Sequence, residues 1–166
     1  MSIIDEVLAA NEAYAKGHEL RGLSPRPAKK LAILTCMDTR LAIKTLGLER
    51  GDAHIIRNAG GIVTDDTLRS LIISHHLLGT EAFMVINHTD CGLMLTTEDD
   101  LRARIRQHTG TDAVAPSVFY AFKDVDANVR HQLQKLRSHP WIPDKIDVRG
   151  FVYDVKTGRL REVKAD

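Results

Sequence analysis

Short apolar runs alternating with helical stretches constrain this chain more than any other feature of its sequence. Leu31–Cys36 (LAILTC), Ala53–Asn58 (AHIIRN), Ala82–Asn87 (AFMVIN) and Ile146–Val155 (IDVRGFVYDV) each read as a strand, apolar enough to be buried. Arg159–Val163 returns after a Thr157-Gly158 turn as an antiparallel edge. Strand and helix in alternation predict an α/β fold: one domain over residues 1–166 with a central, mainly parallel sheet covered by helices. The expected arrangement is four parallel strands in the order 2-1-3-4, with the antiparallel strand at the edge.

The helical segments carry their own start and stop signals. Ser2 can cap a helix over residues 2–16, with Asp5 and Glu6 in its first turn and Ile3, Ile4, Val7, Leu8 and Ala15 on one face. That face stands outside the sheet pattern and needs a partner, on its own domain or on another subunit. Gly17, Gly22, Pro25 and Pro27 make the next stretch a loop, so residues 1–30 form an N-terminal helix and arm. Leu41–Leu48 reads as a short helix ended by Gly51. Thr64 caps a third helix that Gly79 stops. Two more are expected over residues 97–108 and 124–137, the latter halted by Pro140.

Composition narrows the function. A formal charge of +1 from 23 basic and 22 acidic side chains gives no bias toward nucleic acid or anionic membrane, and neither partner is expected. The apolar runs fall short of a membrane span, and MSIIDEVLAANEAY carries acids where an export signal carries bases, which makes the cytoplasm the expected setting. In that reducing compartment the two cysteines serve metal binding or chemistry better than a disulfide. Ala59-Gly60-Gly61 lacks the GxGxxG spacing and no P-loop occurs, so a dinucleotide enzyme is not expected.

Chemistry begins where the strands end. Cys36, Asp38 and Arg40 follow the first strand at alternate positions and can address one small volume; His88-Thr89-Asp90-Cys91-Gly92 follows the third. If the topology reverses between these strands, their carboxyl ends meet at a switch point. Cys36, His88 and Cys91 would then form a Cys₂His set suited to zinc, with one position open as in catalytic sites. The competing reading is two buried cysteines, a core histidine and a surface ion pair.

The paired motif, C-x-D-x-R as Cys36-Met37-Asp38-Thr39-Arg40 and H-x-x-C as His88-Thr89-Asp90-Cys91, resembles that of the β-class carbonic anhydrases. Residues 56–61, the helix start at 65–70 and Gly150-Phe151-Val152-Tyr153-Asp154 also look like the short microbial members. The resemblance implies that Cys36, His88 and Cys91 bind Zn²⁺. It implies that Asp38 and Arg40 form a dyad orienting a zinc-bound hydroxide, which hydrates carbon dioxide to bicarbonate and a proton. Ala59, Gly60, Gly61 and Gly92 would wall the substrate, although turn formation alone explains those glycines. It also implies a homodimer or higher even oligomer joined through the N-terminal segment. In short members Asp38 can close the site by taking the metal's open position, so activity is expected to rise toward alkaline pH.

Asn87 departs from the glycine often found before the zinc histidine, and Leu93 is an uncommon follower of Cys91-Gly92. Asp90 reads equally as an orienting group or a solvated turn residue. His54, His75, His76, His108, His131 and His139 read as packing or solvent-facing groups, and Trp141 as an interface anchor or simple cover. Two alternatives stand beside carbon dioxide hydration. One is hydrolysis of carbonyl sulfide or carbon disulfide on the same zinc; the other is a zinc-stabilised interaction module without turnover, which would not need Asp38 and Arg40.

Overall fold

The apolar runs lie side by side in one sheet. A computed structural model describes residues 2–18, 22–112 and 115–164. Its strands, Leu31–Cys36 (β1), Ala53–Asn58 (β2), Ala82–His88 (β3), Asp147–Tyr153 (β4) and Leu160–Val163 (β5), are ordered β2-β1-β3-β4-β5. Leu34 stands opposite Ile56 of β2 on one side and Val85 of β3 on the other, both in parallel register. β3 and β4 are parallel, and β5 closes the edge antiparallel with Val163 opposite Gly150. The chain leaves β1 toward one neighbour and returns on the other side as β3. That reversal places Cys36 and His88 at adjacent carboxyl ends, where open α/β sheets bind ligands.

Period-two alternation sorts the strand residues between two cores. Ala32, Leu34, Phe83 and Val85 join Leu71 of helix Asp65–His76 and Val129, Leu133 and Leu136 of helix Val125–Arg137. Full burial of each such large aliphatic side chain stabilises the fold by about 1.5–3 kcal/mol. Ile33 and Ile86 face the other way, where Leu41, Ile43, Leu46, Leu48, Phe122 and Tyr153 cover them along with Cys36 and Cys91. Gly150 lets the helix over β4 come close, since a Cβ there would lie 2.4 Å from Val129 Cγ1.

The described helices are Ile3–Lys16 (α1), Asp65–His76 (α2), Glu98–Thr109 (α3) and Val125–Arg137 (α4). Ser2 and Asp5 form a reciprocal capping box on α1, while Thr64, Thr97 and Asp124 cap the other three. None of the α1 residues is buried, and Ile3, Ile4, Val7 and Leu8 are 58–70% exposed, so the apolar face has no cover among the described residues of its own chain. Residues 41–48 differ from the expected helix. They hold a single 3-10 turn, Ile43–Leu46, which has no side-chain cap and ends at Gly47 (φ 67°) rather than at Gly51. Among the described residues no helix is long and apolar enough to cross a membrane.

Candidate metal centre

Cys36 ends β1, His88 ends β3, and Cys91 follows a tight turn in which Asp90 adopts φ 57°. The left-handed residue folds the chain back so that Cys91 rejoins His88. Both Sγ atoms and an imidazole nitrogen lie within 4.8 Å of one another, and all three side chains are buried. His88 Nδ1 bonds to the Thr89 carbonyl at 2.8 Å, which gives that nitrogen the proton and leaves Nε2 as a lone-pair donor. Among the described residues Nε2 has no hydrogen-bond partner, an orphaned buried atom in a site otherwise well paired. Two sulfurs and one imidazole are the donors zinc takes, and three protein ligands leave a fourth position open. The residues present fit that metal.

The electrostatics of the metal-free cluster follow from one thiolate shared among neighbours. Cys36 is lowered well below the ordinary thiol value, chiefly by the Cys91 thiol hydrogen-bonded to it, against burial and with help from His88 and the Gly60 amide. Cys91 is raised by the same contact and by burial. Burial alone would lower His88, but the neighbouring Cys36 sulfur and the Thr89 carbonyl outweigh it and raise it. A cation in the cluster would replace the protons that now hold these groups together.

Asp38 and Arg40 form the expected pair. Arg40 Nε donates to Asp38 Oδ1 at 3.0 Å and its terminal nitrogen to Oδ2 at 2.7 Å, while the Arg40 main-chain N–H adds a third bond at 2.9 Å. The guanidinium hydrogen bonds hold the Asp38 carboxyl well below the usual carboxylate range. Asp38 Oδ2 lies 3.8 Å from His88 Nε2, beside the cluster and not buried in it. The other edge of Arg40 reaches the Asp90 carboxylate at 2.8 Å and the Asp90 carbonyl at 3.0 Å. Arg40 thus ties the loop after β1 to the loop after β3, and Asp90 is one of its anchors.

The remaining expected site residues separate. Gly60 (φ 82°) and Gly61 (φ 63°) are buried against the cluster, with the Gly60 N–H 3.4 Å from Cys36 Sγ. Ala59 is exposed, and nothing lies within 4 Å of where a Cβ on Gly92 would stand. One contributor, Arg57, escaped the sequence reading, and another, Asn87, entered it only as a departure from the glycine often found there. Arg57 donates to the carbonyls of Cys36 (3.0 Å) and Asp38 (2.6 Å), fixing the segment between ligand and carboxylate. Asn87 is 1% exposed and donates to the carbonyls of Gly60 (2.9 Å) and Gly61 (3.3 Å). Arg57 had no motif to mark it, whereas Asn87, a polar residue inside the AFMVIN run, was a usable signal.

The family model described as carbonic anhydrase matches residues 31–160, a span that contains all of these residues. The chain belongs to the β-carbonic anhydrases. It is 42% identical over 166 residues to Beta-carbonic anhydrase 1 of Mycobacterium tuberculosis, covering 98% of this chain and 99% of that one. The crystal structure of carbonic anhydrase from Streptococcus mutans superposes with a TM-score of 0.92 at 44% identity, over 99% of each chain. A carbon disulfide hydrolase of Saccharolobus solfataricus is 36% identical over 184 aligned positions, covering 96% of this chain and 88% of that one. The sheet order is thus that of a β-carbonic anhydrase fold, and the relatives of this chain carry the names of two activities.

Proposed function

We propose that this chain catalyses the reversible hydration of carbon dioxide to bicarbonate and a proton, at a zinc ion held by Cys36, His88 and Cys91. The observation that carries the reading is the Arg40-locked carboxylate of Asp38, 3.8 Å from the lone-pair nitrogen of His88 in a buried three-ligand cluster. A structural zinc is closed by four protein ligands and has no use for such a carboxylate. Bound there, zinc supplies a Lewis acid that makes water a nucleophile near neutral pH. Asp38, kept ionised by Arg40, can only accept hydrogen bonds. It therefore takes an O–H of the attacking water and turns an oxygen lone pair toward the carbon. Arg40 acts through Asp38 and is a positioning residue. Gly60 and Gly61, with Ala59 and Gly92 beyond them, offer main chain without bulk beside the cluster, which suits a linear substrate of three atoms.

Carbon disulfide is the second substrate to consider, because the hydrolase relative at 36% identity carries that name. Carbon dioxide is favoured by the higher identity and fuller coverage of the relatives named as carbonic anhydrases. The reading includes a cytoplasmic setting, supported by two free cysteines that the site needs reduced. It also includes a homodimer or higher even oligomer, supported by the uncovered face of α1. Zinc analysis with parallel assays of carbon dioxide hydration and carbon disulfide hydrolysis tests the function. Stoichiometric zinc and carbon dioxide turnover are expected, both lost in Cys91→Ser. Full zinc and turnover in that variant would refute the ligand set, and carbon disulfide turnover alone would refute the substrate.

A further inference from the structure

The turn after β2 is held by a chain of side-chain amides that begins and ends on its own main chain. Val63 N–H donates to Gln132 Oε1 at 2.8 Å, and Gln132 Nε2 donates to Asn128 Oδ1 at 2.9 Å, one helical turn away on α4. Asn128 Nδ2 then donates to Asn87 Oδ1 at 2.7 Å, and Asn87 Nδ2 to the Gly60 and Gly61 carbonyls. One end of this chain is an N–H and the other a C=O, and neither can reverse its polarity. All three amides are therefore oriented in a single sense, each oxygen accepting and each NH₂ donating. Lys135 adds a bond from its ammonium to the Val63 carbonyl at 2.9 Å.

What the chain holds is the turn whose Gly60 N–H faces a cluster sulfur. Asn58 bridges the turn locally, accepting from Ile62 N–H at 2.8 Å and donating to the Ile62 carbonyl at 2.7 Å, and Thr67 of α2 donates to the same carbonyl at 3.2 Å. Asn87 fixes it against β3. The fit is close: a Cβ on Gly61 would lie 2.8 Å from Asn87 Nδ2 and 3.2 Å from Cys36 N. With the turn so wedged, the Gly60 N–H points at Cys36 Sγ. The Gly60 N–H and the Gly60 carbonyl belong to different peptide planes, so the amide chain acts on position rather than by polarising that N–H.

We propose that Asn87, Asn128 and Gln132 are positioning residues for the Cys36 thiolate, holding the Gly60 N–H on its sulfur and so limiting the charge that Cys36 donates to a bound metal. The inference rests on the ligand set proposed above. Two thiolates offset the charge of a divalent zinc ion and weaken it as a Lewis acid; a hydrogen bond to one sulfur withdraws density and preserves acid strength. Asn87 directly precedes a ligand yet projects away from it, so its work is done through the turn.

The test is isosteric. Asn87→Asp keeps the acceptor for Asn128 but turns a carboxylate oxygen on the Gly60 and Gly61 carbonyls. Asn128→Asp, at a half-buried site, withdraws the donor from Asn87 and favours reversal of the Asn87 amide. Each variant and the wild type are loaded with Co²⁺ in place of zinc, and the sulfur-to-cobalt charge-transfer band is recorded with far-UV circular dichroism as a fold control. Without the N–H bond the sulfur lone pair rises in energy, so the band is expected at longer wavelength in both variants. Bands unmoved in folded variants would overturn the proposal, and if Asn87→Asp fails to fold, Asn128→Asp alone decides. A wild-type protein with no sulfur-to-cobalt band would instead overturn the ligand set.

Discussion

Replacing Arg40 by alanine separates the carboxylate's role from metal binding, because Arg40 touches none of the cluster atoms. The substitution removes two hydrogen bonds to Asp38 and two to Asp90, leaving the Asp38 carboxylate, among the described residues, the main-chain N–H of residue 40 at 2.9 Å. Charge-assisted bonds are worth about 1.5–3 kcal/mol each when shielded. The Arg40 side chain is 44% exposed, and water screening reduces its grip on Asp38 well below that shielded value. A positioned proton acceptor contributes about 10²–10⁴ in rate, and Asp38 itself remains, so the loss falls at the low end. A fall in kcat/KM of about 10- to 100-fold, or 1.4–2.7 kcal/mol, is expected for Arg40→Ala. Arg40→Lys, which keeps charge but loses the two-pronged geometry, should fall less. The sign on pH follows from the depressed Asp38 carboxyl: without the guanidinium its pKa rises, so the acceptor is lost earlier on acidification and the acid limb of the profile moves to higher pH. Stopped-flow carbon dioxide hydration with an indicator, at matched zinc content, reads both effects. An undiminished rate in Arg40→Ala would refute the dyad.

Further outcomes follow from other parts of the molecule. Val7→Asp with Leu8→Asp changes side chains that are 61% and 58% exposed, so the protomer should keep its stability while light scattering shows the wild-type oligomer falling to monomer; a monomeric wild type refutes the assembly. Gly150→Ala would press a methyl within 2.4 Å of Val129 and 2.8 Å of Leu133, and such overpacking costs about 1–3 kcal/mol. At this size that lowers Tm by roughly 2–12 °C in calorimetry, and an unchanged Tm would refute the packing of α4 on β4. Zinc uptake by metal-free protein should release protons and tighten as pH rises, because the Cys91 thiol is held protonated beside Cys36. Uptake without acidification of a weakly buffered solution would refute that charge state.

Strand positions were legible because alternation and apolar run length are local properties. β1 and β2 match the expected segments residue for residue, and β3 extends one residue further, to His88. The order of the strands followed from the crossovers, and with it the meeting of Cys36, His88 and Cys91. Residues 41–48 misled because their apolar spacing serves burial of Leu41 and Leu48 over the sheet, not a helix face, and Gly47 ends the turn early. Asp90 was ambiguous in sequence because its partner Arg40 lies fifty positions away. The same holds for Asn87, Asn128 and Gln132. An isolated amide has no periodic signature, and its meaning depends on which backbone groups the finished fold leaves unpaired.

The adjacency of β1 and β3 also sets a clock. Thr35 bonds the Ile86 carbonyl across 51 residues, so the half-site bearing Cys36 has no counterpart until β3 has been made. Translation from Cys36 to Cys91 at about 5–20 residues per second takes roughly 3–11 s. Throughout that interval the growing chain carries one solitary thiol at the end of an apolar strand whose inner neighbour does not yet exist. On the ligand set proposed above, metal is captured only after synthesis has passed both loops, and a nascent chain stalled within β2 has a sulfur but no site.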